Sequence, residues 1–180
     1  IMKIEKKLDS GPFIKQISVK INKETTSGEL SKKLSILGAE ALKESIELIS
    51  SSKVNFKQQN EKNATYAKKI NKIETQINWK DKAKNIIAKI NAFNPKPGAW
   101  FLLKNERIKI LKAKEITQKG EEGKVLDDKL TVGCSVNAIQ ILKIQREGKK
   151  EIPSQKSFLQ VQCLEVRAVM IYGWQPLMKT

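Results

Sequence analysis

The chain has 180 residues, 39% hydrophobic and 30% charged, and its 35 basic side chains against 19 acidic ones give a formal net charge of +16. That length allows one domain or two small ones, and the charge favours a polyanionic partner, most simply nucleic acid. Histidine is absent from the sequence, which excludes a histidine general acid or base, a histidine metal site and a Ser-His-Asp triad within this chain.

Lysine outnumbers arginine 32 to 3. The codon usage of an AT-rich genome accounts for lysine over arginine, but not for the shortage of acids. No apolar run approaches the ~18 residues of a membrane-crossing helix. No secretory pattern is present, and Cys134 and Cys163 lack metal-ligand spacing. Both thiols are expected in a core, in a reducing cytosolic compartment.

Ile1–Ile4 is a β-like run, so the sequence is expected to open inside a domain rather than at its start. Leu8-Asp9-Ser10-Gly11-Pro12 is a turn, and Phe13–Ile21 alternates as a strand does. Thr26-Ser27-Gly28-Glu29 is a capping box that predicts a long helix to about Ser50. Leu30, Leu34, Leu37 and Ala41, with the row Leu42, Ile46 and Ile49, make its apolar face. Strand, turn, strand and long helix suit the closing edge of an α/β domain.

Asn55–Ile73 is polar and lysine-rich and reads as an extended linker. A second helix is predicted over Asp81–Phe93, with Ala83, Ile86, Ile87 and Ile90 on one face. It stops at Asn94-Pro95-Lys96-Pro97-Gly98, because two prolines fix φ and withhold backbone donors. Short strands are expected near Ala99–Leu103, Arg107–Ile116, Gly123–Leu126, Leu130–Cys134 and Ala138–Gln145. Five short strands after a helix suggest a small OB-like antiparallel barrel. Trp79, Phe93 and Trp100 could stack bases, but beside prolines and apolar helix residues they read as the packed seam of helix, turn and barrel. Gly120, Gly123, Gly133 and Gly148 read as turn glycines.

The texture breaks after Phe158. Residues 159–180 carry a single lysine, Lys179. Two readings stand side by side: a C-terminal strand, or a tail that is not authentic sequence, such as a frame-shifted end.

Several blocks together carry a family resemblance. They are Ile1-Met2-Lys3-Ile4 leading to Leu8-Asp9-Ser10-Gly11-Pro12, Thr65-Tyr66-Ala67-x-Lys69-Ile70, Ile77-Asn78-Trp79, and Ala92-Phe93-Asn94-Pro95-x-Pro97-Gly98-Ala99-Trp100. Lys109-Ile110-x-x-Ala113, Gly123-x-Val125-Leu126 and Leu142-x-x-Ile144-Gln145-x-Glu147-Gly148-Lys149-Lys150 complete the series. In this order, from Ile1 to about Phe158, they resemble the C-terminal part of the methionyl-tRNA formyltransferases. Lys96, where that family commonly has a bulky aromatic, and residues 159–180 depart from its pattern.

The resemblance implies a layout. Residues 1–54 would be the end of a Rossmann-like formyltransferase catalytic domain, 55–73 a basic linker, and 74–180 an OB-like tRNA-binding domain. It implies formyl transfer from 10-formyltetrahydrofolate, as co-substrate and without a metal, to the α-amine of methionine on initiator tRNA in translation initiation. Asp9 is the one catalytic residue it carries over, from the family's L-D-x-G turn, where the aspartate acts with an asparagine and a histidine. A carboxylate there would raise and orient the histidine, and the amide and imidazolium would stabilise the oxyanion. The asparagine–histidine segment is not in this sequence, so the chain alone is expected to be inactive. Without the resemblance, Asp9 before Gly11-Pro12 reads as an ordinary turn residue.

Among the basic residues, Lys69, Lys72, Lys109, Lys112, Arg146, Lys149 and Lys150 are the expected tRNA contacts, through phosphates rather than bases. For any single lysine, a solvated surface is the competing reading. On Arg107–Lys114 the alternation of Lys109 and Leu111 with Ile108 and Ile110 drifts, so these side chains cannot all share one face. A sugar-nucleotide N-formyltransferase of the same layout and a non-catalytic tRNA-binding module remain open alternatives. A monomer in a bacterial-type cytoplasm is expected, with no membrane partner and with organellar targeting left open.

Overall fold

Helix α1 (Ser27–Ser50) starts where the sequence places it. The Thr26 hydroxyl accepts from the Glu29 backbone N–H at 3.2 Å, and the Glu29 carboxylate accepts from the Thr26 backbone N–H at 2.9 Å. The computed structural model describes residues 1–153, so both readings of residues 159–180, and Cys163, lie outside the described residues. The chain divides into two units, Ile1–Lys69 and Ile70–Thr180.

In the first unit the strands expected at Ile1–Ile4 and Phe13–Ile21 do not form as ladders. Met2 and Phe13 make one isolated bridge, and Phe13 and Lys57 another. Phe13 and Lys57 exchange backbone bonds of 2.9 and 2.8 Å, whereas residues 16–21 make no backbone hydrogen bond among the described residues. Alternation alone cannot make a strand, because its N–H and C=O groups need a neighbouring strand to bond. The segment still lies along α1: Ile17, Val19, Leu34 and Leu37 help to line a cleft of about 150 Å³.

The apolar face expected of α1 is only partly covered. Ala41 and Ser45 are its buried residues, while Leu34, Ile46 and Ile49 are 46–53% exposed. The stretch read as a linker contains the Phe13–Lys57 bridge and a 3₁₀ turn at Glu61–Asn63, but its side chains are mostly exposed.

In the second unit the expected helix is α2 (Ala83–Phe93), two residues shorter at its start than the sequence suggested. Its N-cap, Lys82, has no side-chain cap, so Asp81 does not begin the helix. At its end both the Asn94–Pro95 and the Lys96–Pro97 peptide bonds are cis. Gly98 adopts φ +88°, and its N–H closes back on the Phe93 carbonyl at 2.9 Å.

Five strands follow: β1 (Ala99–Leu103), β2 (Glu106–Ile116), β3 (Thr131–Gly133), β4 (Ala138–Arg146) and β5 (Glu151–Pro153). They form one antiparallel sheet in the order β1-β2-β4-β3, with β5 also on β4. Strand β4 is therefore central, with β2 along one edge and β3 and β5 on successive parts of the other. Gly123–Leu126, expected as a strand, contributes the Val125–Val132 bridge, next to a parallel bridge of Glu122 to Gly133. At the opposite edge Gln76 bridges Trp100 in parallel. These additions extend the curled sheet into a half-barrel.

The drift foreseen in β2 has a structural cause. The register slips between Ile110 and Lys112 and back again by Ala113, leaving Leu111 extra on β2 and Leu142 extra on β4. The two offsets cancel, so Ala113 to Ile116 resume regular pairing. The core lies between α2 and the sheet, with Ile86, Ile90, Ile110 and Ile139 essentially inaccessible. Burying each such side chain contributes ~1.5–3 kcal/mol.

Candidate nucleic-acid interface

The sheet register places a basic row on the face opposite the core. Ala99, Ile110 and Ile144 stack in one inward row across β1, β2 and β4. The neighbouring row, Trp100, Lys109 and Gln145, must point the other way, because successive strand side chains alternate. Leu102 pairs with Arg107 on that same outer face. Arg107, Lys109, Gln145, Arg146, Glu147 and Gly148 line a cleft of about 190 Å³ there.

Trp100 anchors this face. It is 8% exposed, and its indole Nε1 donates to the Thr75 hydroxyl at 2.9 Å and to the Lys72 carbonyl at 3.2 Å. The Thr75 hydroxyl in turn donates to the Lys72 carbonyl at 2.8 Å. Backbone bonds from Trp100 to Thr75 and from Ile77 to Trp100 clamp the same segment to β1. Lys72 is thereby fixed beside Trp100 with its side chain exposed. The Arg107 guanidinium lies 4.4 Å from the Trp100 ring centroid, a cation–π stack. Arg107 is absent from the residues picked by motif. Its shared parity with Lys109 was legible, but the indole facing it was not.

Lys109 is held differently. Its aliphatic stem crosses Gly98, where an added Cβ would meet Lys109 Cδ at 2.8 Å. Packing the stem leaves the ammonium head for solvent or a ligand. Trp79 and Phe93 pack on the core, Trp79 meeting Phe101 edge to face at 5.6 Å, so the seam reading fits these two, whereas Trp100 faces away from that core.

Arg146 is committed to a carboxylate. Its Nε and Nη2 donate to Glu106 Oε1 and Oε2 at 2.8 and 2.7 Å. That hydrogen-bonded pairing holds the Glu106 carboxyl below its ordinary range and raises the Arg146 guanidinium, against the opposing effect of burial. By register Arg146 pairs with Ile108, one row on from Lys109 and Gln145, and it still borders the cleft that they line. Lys143 pairs with Glu151 at 3.0 Å, and its sheet partner Lys112 is exposed.

Lys149 and Lys150 are exposed after the turn at Glu147-Gly148. Gln145 Nε2, donating to the Lys149 carbonyl at 2.9 Å, fixes that turn. Thus Lys72, Lys109, Arg146 and Lys149 belong to connected elements at this end of the second unit. Lys112 lies beyond the bulge, and Lys69 is an exposed residue at the end of the first unit.

Asp9 belongs to the first unit. It is exposed at φ +51°, in the turn before Gly11. Gln59 Nε2 donates to the carbonyls of Asp9 and Gly11 at 2.9 and 2.7 Å, which holds the turn's shape. A Cβ on Gly11 would fall 1.8 Å from the Lys3 carbonyl oxygen, so this close approach requires glycine. Among the described residues no group of three or more histidine, cysteine, aspartate or glutamate side chains is gathered to hold a metal. No helix among them is long and apolar enough to cross a membrane.

The architecture is shared with solved structures. HypX from Aquifex aeolicus, in complex with tetrahydrofolic acid, superposes with a TM-score of 0.71 over 88% of this chain and 30% of its own, at 18% identity. An N-formyltransferase from Helicobacter canadensis, in complex with folinic acid and dTDP-3-aminofucose, gives 0.61 over 81% and 54%, at 20% identity. Residues 69–163 match the family described as "Formyl transferase, C-terminal domain", and the chain belongs to that family.

Methionyl-tRNA formyltransferase from Pelagibacter ubique is 46% identical over 151 residues, 83% of this chain and 49% of that protein. The enzyme of the same name from Brucella anthropi is 35% identical over 87% of the chain and 52% of that protein. The chain thus spans about half the length of these relatives, and its similarity to them is that of a C-terminal portion.

Proposed function

We propose that this chain is the C-terminal portion of a methionyl-tRNA formyltransferase and that its barrel grips initiator methionyl-tRNA. The observation that carries this reading is the 46% identity to the Pelagibacter enzyme over most of the chain. The basic outer face of the half-barrel supports it. In this reading residues 1–54 end a Rossmann-like catalytic domain, 55–73 link, and 74 onward form an OB-like tRNA-binding domain. Lys69, Lys72, Lys109, Lys112, Lys149 and Lys150 contact phosphates, and Arg146 contributes mainly through its pair with Glu106. The setting is a bacterial-type cytoplasm, and the chain is monomeric.

The reaction joins the methionine α-nitrogen to the formyl carbon and breaks the bond from that carbon to N10 of 10-formyltetrahydrofolate. One proton passes from the amine to N10. Asp9 supplies a carboxylate that orients and charges a histidine, and that histidine is not in this sequence. The 180-residue chain therefore binds tRNA without formylating it. A sugar-nucleotide enzyme of the same layout has little use for a net charge of +16.

Two measurements test the proposal. The affinity of the full chain for initiator tRNA is titrated against salt, where several phosphate contacts give a steep negative slope. Formylation of charged tRNA is then assayed with 10-formyltetrahydrofolate. A flat salt response would sink the binding half, and turnover by the chain alone would sink the assignment of chemistry to residues outside it.

A further inference from the structure

The basic residues around the outer cleft are not equivalent. Arg146 is paired with Glu106, and Lys143, further along β4, with Glu151. Arg107 and Lys109, which line the cleft, have no carboxylate partner among the described residues. The Arg107 Nε is also buried without a hydrogen-bond acceptor. A buried charged donor left unmet is a costly arrangement; because the Nε is closed to solvent, an anion in the cleft would offset the cost by meeting the terminal guanidinium nitrogens.

We propose that this cleft binds one phosphodiester of the RNA backbone, with Arg107 as its central cation and Trp100 as the plate that fixes it. The proposal rests on the tRNA reading above and adds a residue and a geometry to it. A guanidinium lying over an indole keeps its remaining in-plane donors for two phosphate oxygens. Trp100 is itself immobile, because Thr75 and Lys72 accept its N–H and its backbone is bonded on both sides. Lys109, whose stem is braced at Gly98, supplies a second charge on the same face. Gln145 completes the row as a neutral donor, although its amide nitrogen also serves the Lys149 carbonyl. Glu147 also lines the cleft, so its carboxylate opposes an anion there and leaves the attraction to Arg107 and Lys109. Arg146 is part of the wall rather than the ligand-facing cation, since Glu106 takes up its fork.

The test uses the full chain and initiator tRNA. Arg107→Gln should lower the magnitude of the salt slope of log K by about 0.9, the contribution of one phosphate. Arg107→Lys keeps the charge but cannot stack flat or fork, so it should recover less than half of the affinity lost in Arg107→Gln. In the unaltered protein, inorganic phosphate should shift the Arg107 Nε–H and Trp100 Nε1–H resonances saturably, and adenosine should leave them in place.

The proposal is overturned if Arg107→Gln binds with unaltered affinity and slope while Lys149→Gln/Lys150→Gln weakens binding. That result would leave the tRNA reading standing. Shifts caused by adenosine but not phosphate would overturn it in favour of base stacking. No tRNA affinity in the unaltered chain would remove the tRNA reading and this site with it.

Discussion

The Glu106–Arg146 pair offers a direct measure of how far this half-barrel relies on charge. The perturbation is a double-mutant cycle, Glu106→Gln and Arg146→Met, singly and together. Two hydrogen bonds of 2.8 and 2.7 Å join the side chains, which are 31% and 27% exposed. Fully exposed pairs couple by ~0.2–1 kcal/mol, and charge-assisted hydrogen bonds contribute ~1.5–3 kcal/mol. A bidentate pair with two-thirds of each partner covered should lie between, at ~1.5 kcal/mol of coupling.

Trp79 and Trp100 both belong to the second unit, and the first unit holds no tryptophan, so fluorescence-detected urea unfolding reports on the second. The folded Glu106 pKa lies below its ordinary value of 4.5. The pair's stabilisation is therefore complete above that ordinary value and is lost as pH falls through the folded one. Coupling measured at pH 7 should weaken progressively as pH is lowered below 4.5. Coupling below 0.5 kcal/mol at pH 7, or coupling unchanged in acid, would refute the reasoning.

Three other outcomes are expected. Gly133→Ala places a methyl 2.3 Å from the Glu121 carbonyl oxygen, where backbone must give way, and should cost ~1–3 kcal/mol in urea unfolding; a neutral result would show that the 120–123 loop yields freely. Thr26→Ala removes one half of the capping box and should lower stability by ~1 kcal/mol, with fraying at the start of α1 in hydrogen exchange, whereas Thr26→Ser should restore most of it. Burial pushes the Cys134 thiol up to about 11, so at pH 8 it should react with a disulfide reagent far more slowly in the folded chain than in urea, and equal rates would contradict its placement.

Local signals read well here. The capping box, the proline stop and the alternation of β1, β2 and β4 each involve residues near one another in sequence, and they lie within a few residues of expectation. What failed needed a distant partner. Phe13–Ile21 has the alternation of a strand, but only Phe13 finds a neighbour to bond. Strand β5 went unseen because three residues carry no period, and it exists through its ladder with β4.

The candidate interface divides the same way. Lysine-rich motifs single out residues at one end of the half-barrel, yet Arg146 looks free in sequence and is tied to Glu106, forty positions earlier. Arg107 looks ordinary until the register sets Trp100 beside it. The uncovered apolar side of α1 could not be foreseen, since amphipathic spacing marks a face for burial without naming what buries it.

The central place of β4 also bears on how the chain is made. Before β4 leaves the ribosome, β1 and β2 can close as a local hairpin, and β3 can meet the 122–126 segment through its bridges. Neither structure touches the other through a strand ladder, because β4 supplies the partner for β2, for β3 and later for β5. The half-barrel therefore assembles late, as one event, once residue 146 has emerged. Ribosome-bound chains halted before Ala138 should remain open to protease across the whole second unit, and chains released beyond Pro153 should resist it.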